Sequence, residues 1–308
     1  MTADLLDCLV IGGGPAGLLA GVYLGRFRRR LVVVDAGQSR LASIPRSHNV
    51  PGHPDGIAGA ELLARLREQA ARYEVPLEQG RVQGLAGSDG AFEAQCEEGR
   101  VLRARKVLLA TGARDVVPEV PGIDAGLAAG TVRCCPVCDG FETQHQRVAV
   151  LGRHEHGLRE SLFLAGFDNQ VTWLSLGTQH DVAPPELAQL RERQVLVADS
   201  MPLHIRCRPG EGVEVEMVDG RQLDFDVLYP ALGLRHECEL ATRLGAQAGD
   251  DGQLVVDRRL QTTVPGLYVA GDVAAGLNQI SVAWGQAAIA ATAIHNALPL
   301  AAPRAERP

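Results

Sequence analysis

The chain has 308 residues, a formal net charge of −7 and seven cysteines, and 46% of its residues are hydrophobic. That length suits one large domain or two medium ones with an ample core, the acidic balance argues against a nucleic-acid surface, and no apolar run reaches membrane-spanning length. The opening MTADLLDCLVIGGGPAG carries acids where a signal peptide has basic residues, so a soluble cytoplasmic protein with mostly reduced thiols is expected.

In chain order, DCLVIGGGPAGLLAGVYLGRF reads as a short buried strand, a glycine turn and a helix, and RRRLVVVDAG as a second buried strand ending at Asp35. Gly12, Gly14 and Gly17 thereby form G-x-G-x-x-G between a strand and a helix. One glycine makes the tight turn, one lets the backbone approach a pyrophosphate, and one packs helix against strand. The helix N-terminus faces the phosphates, and Asp35 can accept a hydrogen bond from a ribose hydroxyl. This predicts a dinucleotide site. Arg26, Arg28, Arg29 and Arg30 read as a solvated helix end, or as a docking patch for an acidic electron carrier.

Residues 61–73 have helical periodicity. The runs RVQGL, AFEAQC and RVLRARKVLLATG, separated by turns, predict a small β-meander. Then comes CCPVCDG at 134–140, with Cys135 and Cys138 spaced C-x-x-C and Asp139 directly after. Metal binding, structural cross-linking and redox chemistry can each use that spacing. A structural zinc site usually needs a second ligand pair, and only Cys134 and His145 are near, so no metal site is expected. Cys134 is either a third exchanging thiol or an inert neighbour. Cys8, Cys96, Cys207 and Cys238 read as small buried hydrophobes.

The stretch QRVAVLGRHEHGLRESLFLAGFDNQVTWLSLG repeats the strand–turn–helix–strand plan. Its fingerprint reads Gly152-Arg153-His154-Glu155-His156-Gly157. His154 stands where the middle glycine belongs, its side chain would fill the space a pyrophosphate needs, and Glu155 adds negative charge. The following strand runs into Ser175, Leu176 and Gly177, with no acid at its end for NAD. Strand-like runs VLVAD, LHIRCR, VEVEMV and VLYPALG come next. GLYVAGDVAAGLNQISVAWGQAAIAATAIHNAL then gives a strand, an acid (Asp272) and a long helix of small residues, and PLAAPRAERP reads as a loose tail. Trp284, among those small residues, is either core packing or an aromatic stacking surface.

Taken together, GGGPAG at 12–17, HNVPGHPDGIAGAEL at 48–62, ATGA at 110–113, CPVCDG at 135–140 and GDV at 271–273 resemble the low-molecular-weight thioredoxin reductase family of flavoproteins. The resemblance spans nearly the whole chain. It implies an α/β protein of two Rossmann-like (three-layer ββα) domains. The smaller, residues 118–238, carries the C-x-x-C pair and is inserted in a discontinuous FAD domain of 1–117 and 239–308. It also implies a homodimer. FAD would be held by Gly12, Gly14, Pro15, Ala16 and Gly17 at the pyrophosphate, Asp35 at the adenosine ribose, Asn49 near the isoalloxazine ring, Ala110, Gly112 and Gly271 around the cofactor, and Asp272 at the ribityl chain. Gln279 and Ile280 would reach the pyrimidine edge through their backbone amides. Asn49 also reads as a turn residue and Asp272 as a helix N-cap.

In such a protein Cys135 and Cys138 form a redox disulfide. Cys138 lies nearer the flavin, Cys135 attacks the substrate disulfide, and Asp139 is the acid–base for the leaving thiol. NADPH users of the family carry a basic cluster where this chain has Ser175–Gly177, so NAD(P)H is not the expected donor, the alternative being that other residues of the chain reach it; relatives linked to ferredoxin tolerate that loss. The expected partners are a thioredoxin-like protein or small dithiol or disulfide substrate, and a ferredoxin-type donor. A second flavin or other aromatic ligand in the vacated nucleotide cleft, near Trp284, is a further variant. The competing functions are a small-molecule dithiol oxidase with oxygen as acceptor, and a flavin redox sensor without turnover.

Overall fold

The run LDCLVI forms β1 (Leu6–Ile11) in the computed structural model, which describes residues 5–208 and 210–300. LVVVD forms β2 (Leu31–Asp35), parallel to β1, with Cys8 opposite Leu31 and Ile11 opposite Val34. Parallel strands covered on both faces are hydrophobic without alternation, and β2 is buried along its whole length. Between them runs α1 (Pro15–Arg26), which starts at Pro15, where a missing N–H costs nothing. Its inner face is small: a Cβ on Gly21 would lie 3.1 Å from the Val33 side chain. α2 (Gly59–Arg72) turns Leu62, Leu63, Leu66 and Ala70 inward as one helical stripe. β3 (Leu77–Gln79) extends the sheet beyond β2. β4 (Val82–Ser88), β5 (Ala91–Cys96) and β6 (Val101–Leu109) form the antiparallel meander. β6 also pairs in parallel with β1, giving the order β3-β2-β1-β6-β5-β4.

After β7 (Ala113–Asp115), residues Asp115–Leu234 form a second compact unit together with Ser47–Asn49, and the remainder of the chain forms the first. The second unit contains α3 (Ile123–Ala129), α4 (Pro136–Asp139), β8 (Arg147–Gly152), α5 (His154–Ala165), β9 (Gln170–Leu174), α6 (Pro184–Glu192) and β10 (Leu196–Ala198). β11 (Pro202–Arg208), β12 (Gly212–Met217), β13 (Gln222–Phe225) and β14 (Val227–Ala231) follow, and β15 (Leu234–His236) begins as the chain returns to the first unit. The parallel sheet β10-β9-β8-β14 and the antiparallel sheet β11-β12-β13 repeat the plan of the first unit. β14 ends the parallel sheet, where Pro230 can lack its N–H. In the core, Trp173 is fully buried and its indole N–H donates to the Gly152 carbonyl at 2.9 Å.

β15 pairs with β7, and the chain continues through α7 (Glu239–Thr242), β16 (Leu267–Val269) parallel to β6, and α8 (Ile280–Asn296). Leu18 of α1 and Ala287, Ala291 and Ile294 of α8 belong to one core cluster. Of the cysteines read as buried, Cys8 and Cys238 are, whereas Cys96 and Cys207 are half-buried, because both lie on antiparallel strands with a solvated side. The final stretch from Ala301 on, part of the tail reading, lies outside the described residues.

The arginine cluster is not uniformly solvated. Arg29 is buried at 5% exposure. Its guanidinium donates to His295 Nδ1 at 3.0 Å and to the carbonyls of His295 and Pro299 at 2.8 and 2.6 Å. Burial and the facing Arg29 hold the His295 imidazole below its ordinary range, which keeps Nδ1 available as an acceptor. The guanidinium thus ties the end of α1 to the last turn of α8. Hydrogen bonds to a charged group contribute about 1.5–3 kcal/mol, so Arg29→Met is expected to lower unfolding stability by about 2–3 kcal/mol in urea titration; a loss under about 0.5 kcal/mol would show that this anchor is dispensable.

Candidate functional site

The turn between β1 and α1 is a close contact of backbone with backbone. A Cβ on Gly17 would stand 1.8 Å from the Gly12 carbonyl oxygen, and Gly12 itself, at φ +111°, faces the Ala110 carbonyl. A Cβ on Gly13 would strike the Asp35 carboxylate at 2.4 Å. Asp35 sits at the end of β2 and accepts from the Gly13 and Gly37 amides at 3.3 and 3.0 Å. At the helix start, Gly14 is the N-cap with no side chain bonded to the first-turn amides, and no acid lies in that turn. The space ahead of Gly14 holds only Ser39 Oγ, 3.4 Å from its would-be Cβ, and this buried hydroxyl has no hydrogen-bond partner among the described residues. Open first-turn amides, an orphaned hydroxyl and a carboxylate at the neighbouring strand end fit an FAD pyrophosphate and ribose.

Other sequence-selected residues surround the same unit. Ala110 is buried and Gly112 takes φ +74° with nothing within 4 Å of its Cβ position. Gly271, at φ +82°, donates its N–H to Gln286 Oε1 at 2.8 Å. The Asp272 carboxylate meets Arg40 at 3.2 Å, and its carbonyl lies 2.7 Å from His236 Nδ1. Gln279 is the N-cap and Ile280 the first residue of α8, whose first turn also lacks an acid. Arg40, Ser39, His236 and Arg67, the last 3.1 Å from Asp35, are contacts that sequence reading missed. Their signal was faint: arginines in a loop and on a helix, with no spacing rule linking them to distant acids. Trp284 is half-buried against the core, and its indole N–H has no partner among the described residues.

The second β–α turn keeps two of its three glycines. A Cβ on Gly157 would approach Trp173 Nε1 at 2.5 Å, and one on Gly152 would meet Gly157 Cα at 2.7 Å, so close helix–strand packing is preserved. His154 begins α5 at φ +49°, in the left-handed region that favours glycine. Its backbone N–H is bound by Thr178 Oγ1 at 2.8 Å, and its ring lies 3.3 Å from the Asp181 carboxylate. Glu155 pairs with Arg159. At the end of β9, buried Ser175 donates to Asp199 at 2.9 Å. One amide at the start of α5 is therefore bound by the chain's own Thr178, and the first side chain of the helix faces Asp181.

Cys135 and Cys138 are joined as a disulfide with Cα atoms 5.3 Å apart, inside the usual 4.4–6.8 Å span. Cys135 is the N-cap of α4, and the Cys138 N–H donates to its carbonyl at 2.9 Å. α4 is a single turn, so its dipole is small. Asn49 donates to the Val137 carbonyl between the two cysteines at 3.4 Å and is braced by Ser47 at 3.0 Å. Val137 and Phe141 are 52% and 67% exposed, apolar residues flanking the pair. Asp139 closes α4 with its side chain 17% exposed. Burial pushes its carboxyl above the ordinary range, against the lowering effect of a hydrogen bond from Tyr229 and the charge of Arg133. Among the described residues no group of three or more His, Cys, Asp or Glu could hold a metal ion, and no helix is long and apolar enough to cross a membrane.

Residues 6–287 match the family model for pyridine nucleotide-disulphide oxidoreductases. The chain is 32% identical to a ferredoxin–NADP reductase of Gluconacetobacter diazotrophicus, covering 94% of this chain and 91% of that one. It is 28% identical to a thioredoxin reductase of Aquifex aeolicus, covering 87% and 85%. The crystal structure of a thioredoxin reductase from Streptococcus pyogenes superposes with a TM-score of 0.89 at 25% identity, covering 96% of this chain and 98% of that one. With the glycine turns, the disulfide and the duplicated β–α plan, these matches show that the chain belongs to the pyridine nucleotide-disulphide oxidoreductase family, among its thioredoxin reductase-like flavoproteins.

Proposed function

We propose that this chain is an FAD-dependent dithiol/disulfide oxidoreductase with the Cys135–Cys138 pair as its second redox centre, and that it does not take its electrons from NAD(P)H. The observation that carries the reading is the closed disulfide with a partly buried acid directly beside it. In this reading residues 1–117 and 239–308 form the FAD domain and 118–238 the domain carrying the pair. Gly12 to Gly17 hold the pyrophosphate, Asp35 the adenosine ribose and Asp272 the ribityl chain, with Asn49, Ala110, Gly112, Gly271, Gln279 and Ile280 completing the site. FAD, when bound, exchanges an electron pair with the thiol pair.

In the reducing direction Cys135 attacks the substrate disulfide as a thiolate. A bond forms between Cys135 and one substrate sulfur, the substrate S–S bond breaks, and the departing thiolate takes a proton from Asp139. Cys138 then attacks Cys135, the bond from Cys135 to the substrate sulfur breaks, and that sulfur leaves with the Cys138 proton as the pair closes. The exposed Val137 and Phe141 give a disulfide-bearing partner, such as a thioredoxin-like protein, an apolar surface beside the sulfurs.

The second turn supports this reading of the donor. The His154 ring and the Thr178 hydroxyl occupy the start of α5, Asp181 and Glu155 oppose a phosphate, and 175–181 contains no lysine or arginine. Relatives named ferredoxin–NADP reductase make a ferredoxin-type protein a reasonable electron partner even where the NADP contacts are lost. The same loss supports a second reading: oxidation of a small dithiol, with oxygen accepting the electrons.

The tests are separable. Cys138→Ser should abolish dithiol–disulfide turnover and leave flavin absorbance intact; unchanged turnover would refute the pair as a redox centre. Mixing with excess NADPH or NADH under argon should leave the flavin oxidised for many seconds, since losing charge-assisted phosphate contacts worth about 1.5–3 kcal/mol each weakens binding by orders of magnitude. Bleaching within about a second at sub-millimolar NADPH would overturn the donor assignment, because enzyme turnover typically runs at about 1–1000 per second. Asp139 binds its proton more tightly folded than unfolded, so it adds stability below the unfolded pKa and that contribution is lost as pH rises through the folded pKa. Asp139→Asn should therefore be the more stable protein at pH 7, the gap closing as pH falls toward about 4; a gap independent of pH in urea titrations would contradict the raised carboxyl.

A further inference from the structure

Tyr229 lies in β14 among Val227, Leu228, Pro230 and Ala231, and is 0% exposed. A phenol in a wholly buried strand needs a partner for its hydroxyl. It has one: the O–H donates to Oδ1 of Asp139 at 2.7 Å. The other oxygen, Oδ2, faces Arg133 at 3.7 Å. Arg133 is itself fixed to this strand, since its backbone N–H donates to the Leu228 carbonyl at 2.9 Å and its Nε to the Gly130 carbonyl at 3.2 Å. The charged and titratable groups around Asp139 are Arg133, Glu142 and His48. Burial and the neighbouring carboxylate push the phenol far above its ordinary range, so it remains a donor at any working pH.

We propose that Tyr229 is a positioning residue for thiol–disulfide exchange: by occupying Oδ1 of Asp139 with its own proton it leaves Oδ2 as the oxygen that carries the transferable one. The proposal rests on the dithiol reading above. As the Cys135 thiolate forms, its proton passes to Oδ2. When Cys135 bonds a substrate sulfur and the substrate S–S bond breaks, that proton moves to the departing thiolate. Cys138 then attacks Cys135 of the mixed disulfide and its proton passes to the second substrate sulfur, so the two electrons and two protons of the dithiol end on two substrate thiols. Tyr229 exchanges no proton; it decides which oxygen holds it.

The test uses the full-length flavoprotein, reduced with dithiothreitol under argon, freed of excess reagent, and mixed with one of two disulfides. Hydroxyethyl disulfide expels an alkyl thiolate that needs a proton. 5,5′-Dithiobis(2-nitrobenzoate) expels a thiolate that is stable without one. Tyr229→Phe keeps the ring and removes the donor. It should slow closure of the pair by hydroxyethyl disulfide about tenfold, a fraction of what a general acid contributes, leave the aromatic disulfide unaffected, and shift the pH profile upward. In an Asp139→Asn background the same substitution should add nothing further. Equal slowing with both disulfides, slowing with neither, or a full effect in the Asp139→Asn background would overturn the positioning role. A wild-type dithiol inert toward both reagents would overturn the oxidoreductase reading itself, and this proposal with it. Unchanged flavin absorbance and circular dichroism establish that each variant is folded.

Discussion

The first unit depends on one contact between backbones. No side chain at Gly17 can coexist with the Gly12 carbonyl, which lies 1.8 Å from the Cβ position. That approach seats α1 at the end of β1 and leaves its first amides clear of side-chain caps. It also brings Gly13 against Asp35, so the carboxylate of β2 is held by the turn that β1 begins. The sheet supplies rigidity through wholly buried parallel strands, and the turn supplies donors to whatever lies beyond them.

The second unit repeats the same scaffold with a different helix start. Gly152 and Gly157 preserve the helix–strand contact, and the indole of Trp173 reinforces it by bonding the Gly152 carbonyl. What changes is the helix terminus. Around α1 a hydroxyl is orphaned and the amides are uncapped; around α5 a threonine hydroxyl takes the first amide and an aspartate faces the first side chain. The close helix–strand packing of this turn needs only the outer glycines, Gly152 and Gly157.

The scaffold was legible in the sequence wherever a local rule applied. Buried strands announced themselves as unbroken apolar runs, G-x-G-x-x-G placed the first turn, and the C-x-x-C spacing left several chemistries open until the family resemblance implied the disulfide that the structure closes. The short β13 and β15 and helix α6 were not legible, since a few residues of mixed polarity carry no clear period. Long-range polar pairs were not legible either: Arg40 with Asp272, Arg67 with Asp35 and Arg29 with His295 join positions that only the fold brings together. Tyr229 left a trace, a hydroxyl inside an apolar strand, but its partner lies ninety positions away.

The redox motif shows why such a partner matters. A four-residue helix cannot supply the field that a long helix gives a thiol at its N-terminus, because a dipole of one turn is small and its effect dies within that turn. Local charge then has to come from side chains. Asp139 alone would oppose a neighbouring thiolate. Burial favours its neutral form, the phenol of Tyr229 favours the charged one, and Arg133 adds a positive charge to the same group. Burial outweighs the other two, so the carboxyl lies above the ordinary carboxylate range by less than burial alone would put it. The strand that carries the phenol is anchored in the unit's core, so the setting of the acid is fixed by the fold and not by the mobility of the motif.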